Sequence, residues 1–290
     1  MPVASLSWKS TYSDLIQASE QDIITYCAAA PAISSNVFHV RRLTEQAVVK
    51  IGMEIEGEYE GQLLVWELVG GGQLRVPKPL RFVRRIDEDG ITFGYFIMEY
   101  LQGSTLENCD LSHHYETAAK VAKAVHLLHT KTAGILGHNR PGPPLGGLAK
   151  GFPWGEHGAD IEFSSVDDLE TCIRKRLKHY ARYEANLGWS TSAIDLRDET
   201  LVFCHLDLAP RNILLADDGS IGLLDWGTLA YYPVAFELAA ILHQRTNVDL
   251  AHDLYYAELV QHLRKLESPT GEEILDKLEL TQMGSIRHAY

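Results

Sequence analysis

The chain has 290 residues and a formal charge of −13, from 26 Lys and Arg against 39 Asp and Glu, with 46% hydrophobic and 22% charged residues. That balance excludes a disordered or collagen-like chain and allows one large or two modest folded domains. It also disfavours polyanionic partners, so neither nucleic acid nor an anionic membrane surface is expected to bind without a local basic patch. Two basic clusters, Arg81, Arg84 and Arg85 and then Arg174, Lys175, Arg176 and Lys178, have Asp or Glu close by and read as solvated faces. Cys27, Cys109, Cys172 and Cys204 are widely spaced, and no secretory signal opens the chain, which points to a reduced, cytoplasmic setting. No apolar run approaches the roughly 20 residues of a membrane span. Zinc spacings of Cys and His are absent, so a bound metal is expected to use oxygen ligands.

In chain order, the first thirty residues read as helical, with Ser13-Asp14 as the cap before Leu15, Ile16, Ile23 and Ile24, and Pro31 as the stop. Val37, His39 and Val40, then Ala47 to Ile51, predict an antiparallel hairpin around the polar turn Thr44-Glu45-Gln46. A helix is expected from Glu56 to Val69, ended by Gly70-Gly71-Gly72. Strands are expected at Leu80 to Ile86 and Thr92 to Glu99. Residues 112–132 and 166–187 have helical spacing, and between them lies a Gly- and Pro-rich stretch from Gly134 to Gly158. Short apolar runs follow at Leu201 to Cys204, Ile213 to Leu215 and Ile221 to Leu224, then helix over 234–267 and 271–280. The pattern predicts an α+β chain with a small β-rich lobe (1–100), a short hinge and a larger, mainly helical lobe (101–290).

Chemistry concentrates in His205-Leu206-Asp207-Leu208-Ala209-Pro210-Arg211-Asn212 and, thirteen residues on, Asp225-Trp226-Gly227. Asp207 and Asp225 each follow a short apolar strand, where a packed scaffold presents a side chain at its rim. Phosphoryl transfer needs one carboxylate to orient and deprotonate a hydroxyl, and separate oxygen ligands to hold magnesium on a triphosphate. Asp207 suits the first role, and Asn212 and Asp225 the second.

These two motifs resemble the catalytic loop and metal-binding motif of the aminoglycoside phosphotransferase family, especially its many fungal members, and the resemblance covers most of the chain. It implies a bilobal protein-kinase-like fold, ATP and Mg2+ as cofactors, Asp207 as catalytic base, Asn212 and Asp225 as magnesium ligands, and His205 as a structural brace. Lys50, in Val48-Val49-Lys50-Ile51, looks like the lysine that grips ATP phosphates, and such a lysine needs a helix carboxylate to hold it. Glu54, Glu56, Glu58 and Glu60 are available; Glu60, one turn before Leu64 on the face expected to pack inward, is the favoured partner. Ser34 and Ser35, before the first strand, stand where a phosphate-covering loop is expected. Phe96 to Gly103 resembles the family's hinge, making Met98, Glu99, Tyr100 and Leu101 the expected adenine contacts.

Only Trp226 to Tyr232 separates Asp225 from the next helix, so no room exists for an activation loop and protein substrates are disfavoured. Glu237, in Pro233 to Leu238, is expected to brace the catalytic loop. The acceptor is therefore expected to be a small molecule, with the acidic C-terminal part favouring an amine-bearing one and Phe152, Trp154, Trp189, Tyr231 and Tyr232 available as an aromatic wall. Family members usually carry Gly between the motif His and Asp; Leu206 stands there, which argues against assuming an aminoglycoside. The competing reading is a non-catalytic, pseudokinase-like module that binds nucleotide or a partner.

Overall fold

The structure is a computed structural model describing residues 6–33, 39–70, 72, 74–111, 114–137, 140–155, 157–183, 194–245, 248–267 and 271–288. Two short helices come first, α1 (Tyr12–Gln17) and α2 (Glu20–Ala29). Thr11, not Ser13, caps α1: its hydroxyl accepts from the Asp14 N–H at 3.3 Å and the Asp14 carboxylate accepts from the Thr11 N–H at 2.7 Å. This reciprocal pairing satisfies two helix-end donors, and a fresh cap at Ser19 restarts the chain as α2.

The hairpin β1 (Val40–Arg42) and β2 (Ala47–Gly52) leads to α3 (Glu56–Val69), β3 (Leu74–Arg75), β4 (Pro79–Ile86) and β5 (Thr92–Glu99). Four of these strands form an antiparallel sheet in the order β1-β2-β5-β4. Alternation along the strands divides its two faces. Ala47, Val49 and Ile97 pack with Leu15, Ile23 and Cys27 of α1 and α2, whereas Val48, Phe96 and Met98 pack with Ile55 and Tyr59 on the opposite side, the side that also carries Lys50. Burial on both faces explains why Ala47-Val48-Val49 reads as an apolar run without alternation. Arg81 is not a solvated charge, because its guanidinium donates to the carbonyls of Leu15, Ile16 and Ala18 and ties α1 to β4.

Beyond the hinge come β6 (Gly103–Thr105), α4 (His114–Thr132), α5 (Val166–Tyr183), β7 (Leu201–Cys204), β8 (Ile213–Ala216), β9 (Ile221–Leu223), β10 (Ala230–Pro233), α6 (Val234–Gln244), α7 (Leu250–Leu266) and α8 (Glu272–His288). The helix expected over 234–267 is thus two helices, with α7 restarted by the Asp249 cap. The strands β3, β6 and β10 are too short for periodicity to reveal. A second sheet runs β3-β9-β8-β6, and β7 pairs antiparallel with β10. Because β3 pairs in parallel with β9, the chain before residue 100 contributes a strand to the C-terminal sheet.

Helix α4 packs on α7, and α5 on α8. Val121, Val125 and Leu128 of α4, Leu169 and Ile173 of α5, and Tyr255, Leu259 and Leu263 of α7 belong to one large buried core. Arg176 of the second basic cluster is also buried, with Asp160 at 2.7 Å, so it too is structural. All four cysteines are unpaired. Among the described residues no helix is long and apolar enough to cross a membrane.

Candidate active site

The loop from β7 to β8 carries Asp207 and Asn212, and the turn after β9 carries Asp225. Two buried groups fix the shape of the first loop. Glu237, at the start of α6, accepts the backbone N–H of His205 at 2.6 Å and of Leu206 at 2.9 Å. His205 donates through Nε2 to the Leu224 carbonyl at 2.9 Å and accepts the Asp207 N–H at Nδ1, 3.3 Å away, while its ring lies against Trp226. That pairing requires the tautomer protonated at Nε2. It locks the Asp207 segment to the strand end that leads into Asp225.

The Asp207 carboxylate lies at the centre of a donor cluster. Asn212 Nδ2 donates to it at 2.8 Å and also to the Asp207 carbonyl at 3.0 Å. Gln244 Nε2 donates at 2.9 Å, Arg211 donates at 2.9 Å, and Tyr256 holds Gln244 by donating to its Oε1 at 2.8 Å. Arg211, Gln244 and Tyr256 were not anticipated. A signal for Gln244 existed, since it lies seven residues after Glu237 and therefore on the same face of α6.

Across the cleft, Lys50 Nζ lies 2.7 Å from Glu58 and 3.0 Å from Asp225, joining positions far apart in sequence. The carboxylate on Lys50 is therefore Glu58, and Glu60 is exposed. The inward stripe of α3 is Glu58, Gln62, Val65 and Val69, one position away from the stripe that Leu64 suggested. Gln62 hides this stripe: it is polar, yet buried, donating to the Pro77 carbonyl at 2.6 Å and lying against the Met98 sulfur. Burial alone would lower the Lys50 pKa, but Glu58 and Asp225 outweigh it and keep it above the ordinary lysine value. Burial likewise opposes ionisation of Asp225, and Lys50 overcomes it, holding that carboxyl below its usual range.

Asn212 and Asp225 are hard oxygen donors suited to magnesium. The Asn212 amide nitrogen is spent on Asp207, so its carbonyl oxygen is the atom that would face an ion, and Asp225 is held ionised. The residues present therefore fit the ion.

At the hinge, Met98 and Leu101 are buried; the Glu99 N–H donates to the Lys78 carbonyl, and the Tyr100 N–H to the Gln46 carbonyl at 2.7 Å. The Arg42 guanidinium covers the Tyr100 ring. Ser34 and Ser35 lie outside the described residues, as does Trp189. Trp154, Tyr231, Tyr232 and Phe152 are all core side chains, and of these four Phe152 also lines the cavity beside Asp207.

Leu206 and Asp225 both adopt left-handed backbone, at φ 65° and 63°. Asp tolerates this region through its short polar side chain; for leucine the conformation costs about 1–2 kcal/mol. Leu206 is buried and lines a cavity of about 500 Å³ next to Asp207.

An α+β molecule with a β-sheet N-terminal region, a helical C-terminal region and this cleft between them has the protein-kinase-like fold. The model of the phosphotransferase enzyme family matches residues 34–271, and the chain belongs to that family. No curated protein matches the sequence. Among solved structures, an aminoglycoside-3'-phosphotransferase of type VIII is similar at 18% identity and a TM-score of 0.54, over 88% of this chain and 91% of that one. An AMP-bound spectinomycin phosphotransferase is similar at 14% identity and a TM-score of 0.53, over 91% and 86% of the two chains. An aminoglycoside phosphotransferase aligns at 13% identity and a TM-score of 0.50, over 82% and 76%.

Proposed function

We propose that the protein transfers the γ-phosphoryl group of Mg·ATP to a hydroxyl of a small molecule. The observation that carries the reading is the meeting of Lys50 and Glu58, from the N-terminal side of the cleft, with Asp225, which stands near Asn212 and Asp207 on the C-terminal side. In this reading the adenine lies along Met98 to Leu101. With the N–H groups of Glu99 and Tyr100 already donated within the protein, Leu101 supplies the hinge donor. Lys50, steadied by Glu58, binds the phosphates. Asn212 and Asp225 would hold magnesium, which when bound neutralises charge on the transferring group.

Asp207 accepts a hydrogen bond from the acceptor hydroxyl, aims its oxygen in line with the phosphorus and takes the proton as the new bond forms. Its donors Arg211, Asn212 and Gln244 fix the direction of the carboxylate before the acceptor arrives. Glu237 and His205 act on the loop that carries it. Ser34 and Ser35 are proposed to close over the phosphates. The test is Mg-dependent ATP consumption with a panel of alcohols. Acceptor-dependent ADP release that disappears in Asp207→Asn supports the reading; nucleotide affinity unchanged by Asp225→Ala, with no acceptor turned over, overturns it.

A further inference from the structure

The open cavity beside Asp207 is lined by Lys150, Phe152, Leu206, Ala240, His243 and Gln282. Its volume, about 500 Å³, suits a small molecule rather than a polymer segment. Among the described residues that line it, Asp207 is the one carboxylate, and its oxygens already accept from Arg211, Asn212 and Gln244. The full cation there is Lys150, 2.9 Å from Glu54. Burial lowers the His243 pKa, with Glu279 pulling the other way, and leaves that imidazole uncharged at neutral pH. An ammonium group entering this space would find no second carboxylate on the described lining to receive it, despite the acidity of the whole chain.

Two side chains offer the alternative, an apolar contact. Phe152 stands on a tight turn closed by the Gly151–Gly155 bridge, its ring 5.6 Å from that of His243. Leu206 occupies left-handed backbone that leucine enters only at a cost, directly next to the proposed base. A strained residue kept at a reactive site points to a role for its side chain.

We propose that the acceptor is an uncharged alcohol that lays an aliphatic or aromatic face against Leu206 and Phe152, and that Leu206 sets this preference. The proposal rests on the phosphotransferase reading and narrows it to a substrate class. It departs from the amine-bearing acceptor that the net charge suggested, because the lining of the cavity and not the total charge meets the substrate.

The experiment compares matched alcohols with and without an ammonium group: phenylpropanol against phenylalaninol, hexanol against aminohexanol, cyclohexanol against aminocyclohexanol, with kanamycin as a polycation. Phosphate-ester formation from Mg·ATP is measured together with ligand-observed NMR binding to the protein saturated with Mg·AMP-PNP. The expected result is a preference of at least about ten-fold for each uncharged member, in kcat/KM or in affinity, and its collapse in Leu206→Gly. Circular dichroism of that variant establishes that it is folded, and Leu206→Met, which keeps the apolar bulk, retains the preference. A preference for the ammonium members or kanamycin, an unchanged ratio in folded Leu206→Gly, or no binding of any uncharged alcohol overturns the inference while intact nucleotide binding leaves the phosphotransferase reading standing. Mg·AMP-PNP binding that does not depend on Asp225 overturns both.

Discussion

The two sides of the cleft are built on opposite principles. Around Lys50 the structure concentrates charge: a buried carboxylate, an ammonium and the Asp225 carboxylate lie in one hydrogen-bonded chain. Around the cavity at Leu206 charge is sparse: the described lining carries the Asp207 carboxylate and Lys150, which is paired with Glu54. The first side suits a ligand whose charge is fixed in advance, a triphosphate with its metal. The second leaves recognition to shape and apolar contact. On the proposed reading, a chain at −13 holds an anion at one end of its cleft and gives a cation little to grip at the other.

The largest break in that contrast is expected from Asp207→Asn. Removing the proton acceptor while keeping shape should lower kcat about a hundred- to ten-thousand-fold and leave Mg·ATP affinity within about two-fold, as read by stopped-flow transfer and calorimetry. Next comes Glu58→Gln against Glu60→Gln. A hydrogen bond to a charged group is worth about 1.5–3 kcal/mol, so loss of the Glu58 carboxylate should weaken Mg·ATP binding roughly ten-fold or more, while Glu60→Gln should change nothing measurable. Equal effects of the two would contradict the α3 register described above.

That pair of variants also marks what the sequence could and could not reveal. Helix α3, strand β5 and the Asp207 and Asp225 motifs were legible because each is long or chemically distinctive. The face that α3 turns inward was not, because buried Gln62 mimics a solvent-facing residue and half-buried Leu64 mimics a core one. Strands β3, β6 and β10 have two to four residues each and carry no period. The cavity beside Asp207 was hidden for a different reason: its walls come from the Gly- and Pro-rich segment, the loop from β7 to β8, α6 and α8, which only tertiary packing brings together.

Smaller effects are expected on the acceptor side. Gln244→Ala removes one donor to Asp207, worth about 1 kcal/mol, and should lower kcat roughly five-fold with nucleotide affinity unchanged; Tyr256→Phe, which only loosens Gln244, should cost less. A separate effect falls on stability rather than activity. His129 is buried between Glu267, 2.8 Å away, and Glu237, 3.6 Å away. Burial opposes its protonation, but Cys204, Glu237 and Glu267 outweigh burial and raise its pKa well above the ordinary value. Its contribution is therefore complete below the unfolded histidine pKa, near about 6.5, and is lost as pH rises through the higher folded value. His129→Gln should cost about 1–3 kcal/mol at pH 6 in urea titrations, with the gap from the parent chain narrowing towards alkaline pH. A gap that widens with pH would assign His129 the opposite charge state.

Single-turnover transfer from Mg·ATP to an uncharged alcohol, measured in the parent chain and in Asp207→Asn with nucleotide affinity taken on the same preparations, tests the central claim most directly. The account predicts transfer in the parent chain, near-complete loss in the variant and equal affinity in both; transfer that survives Asp207→Asn would contradict it.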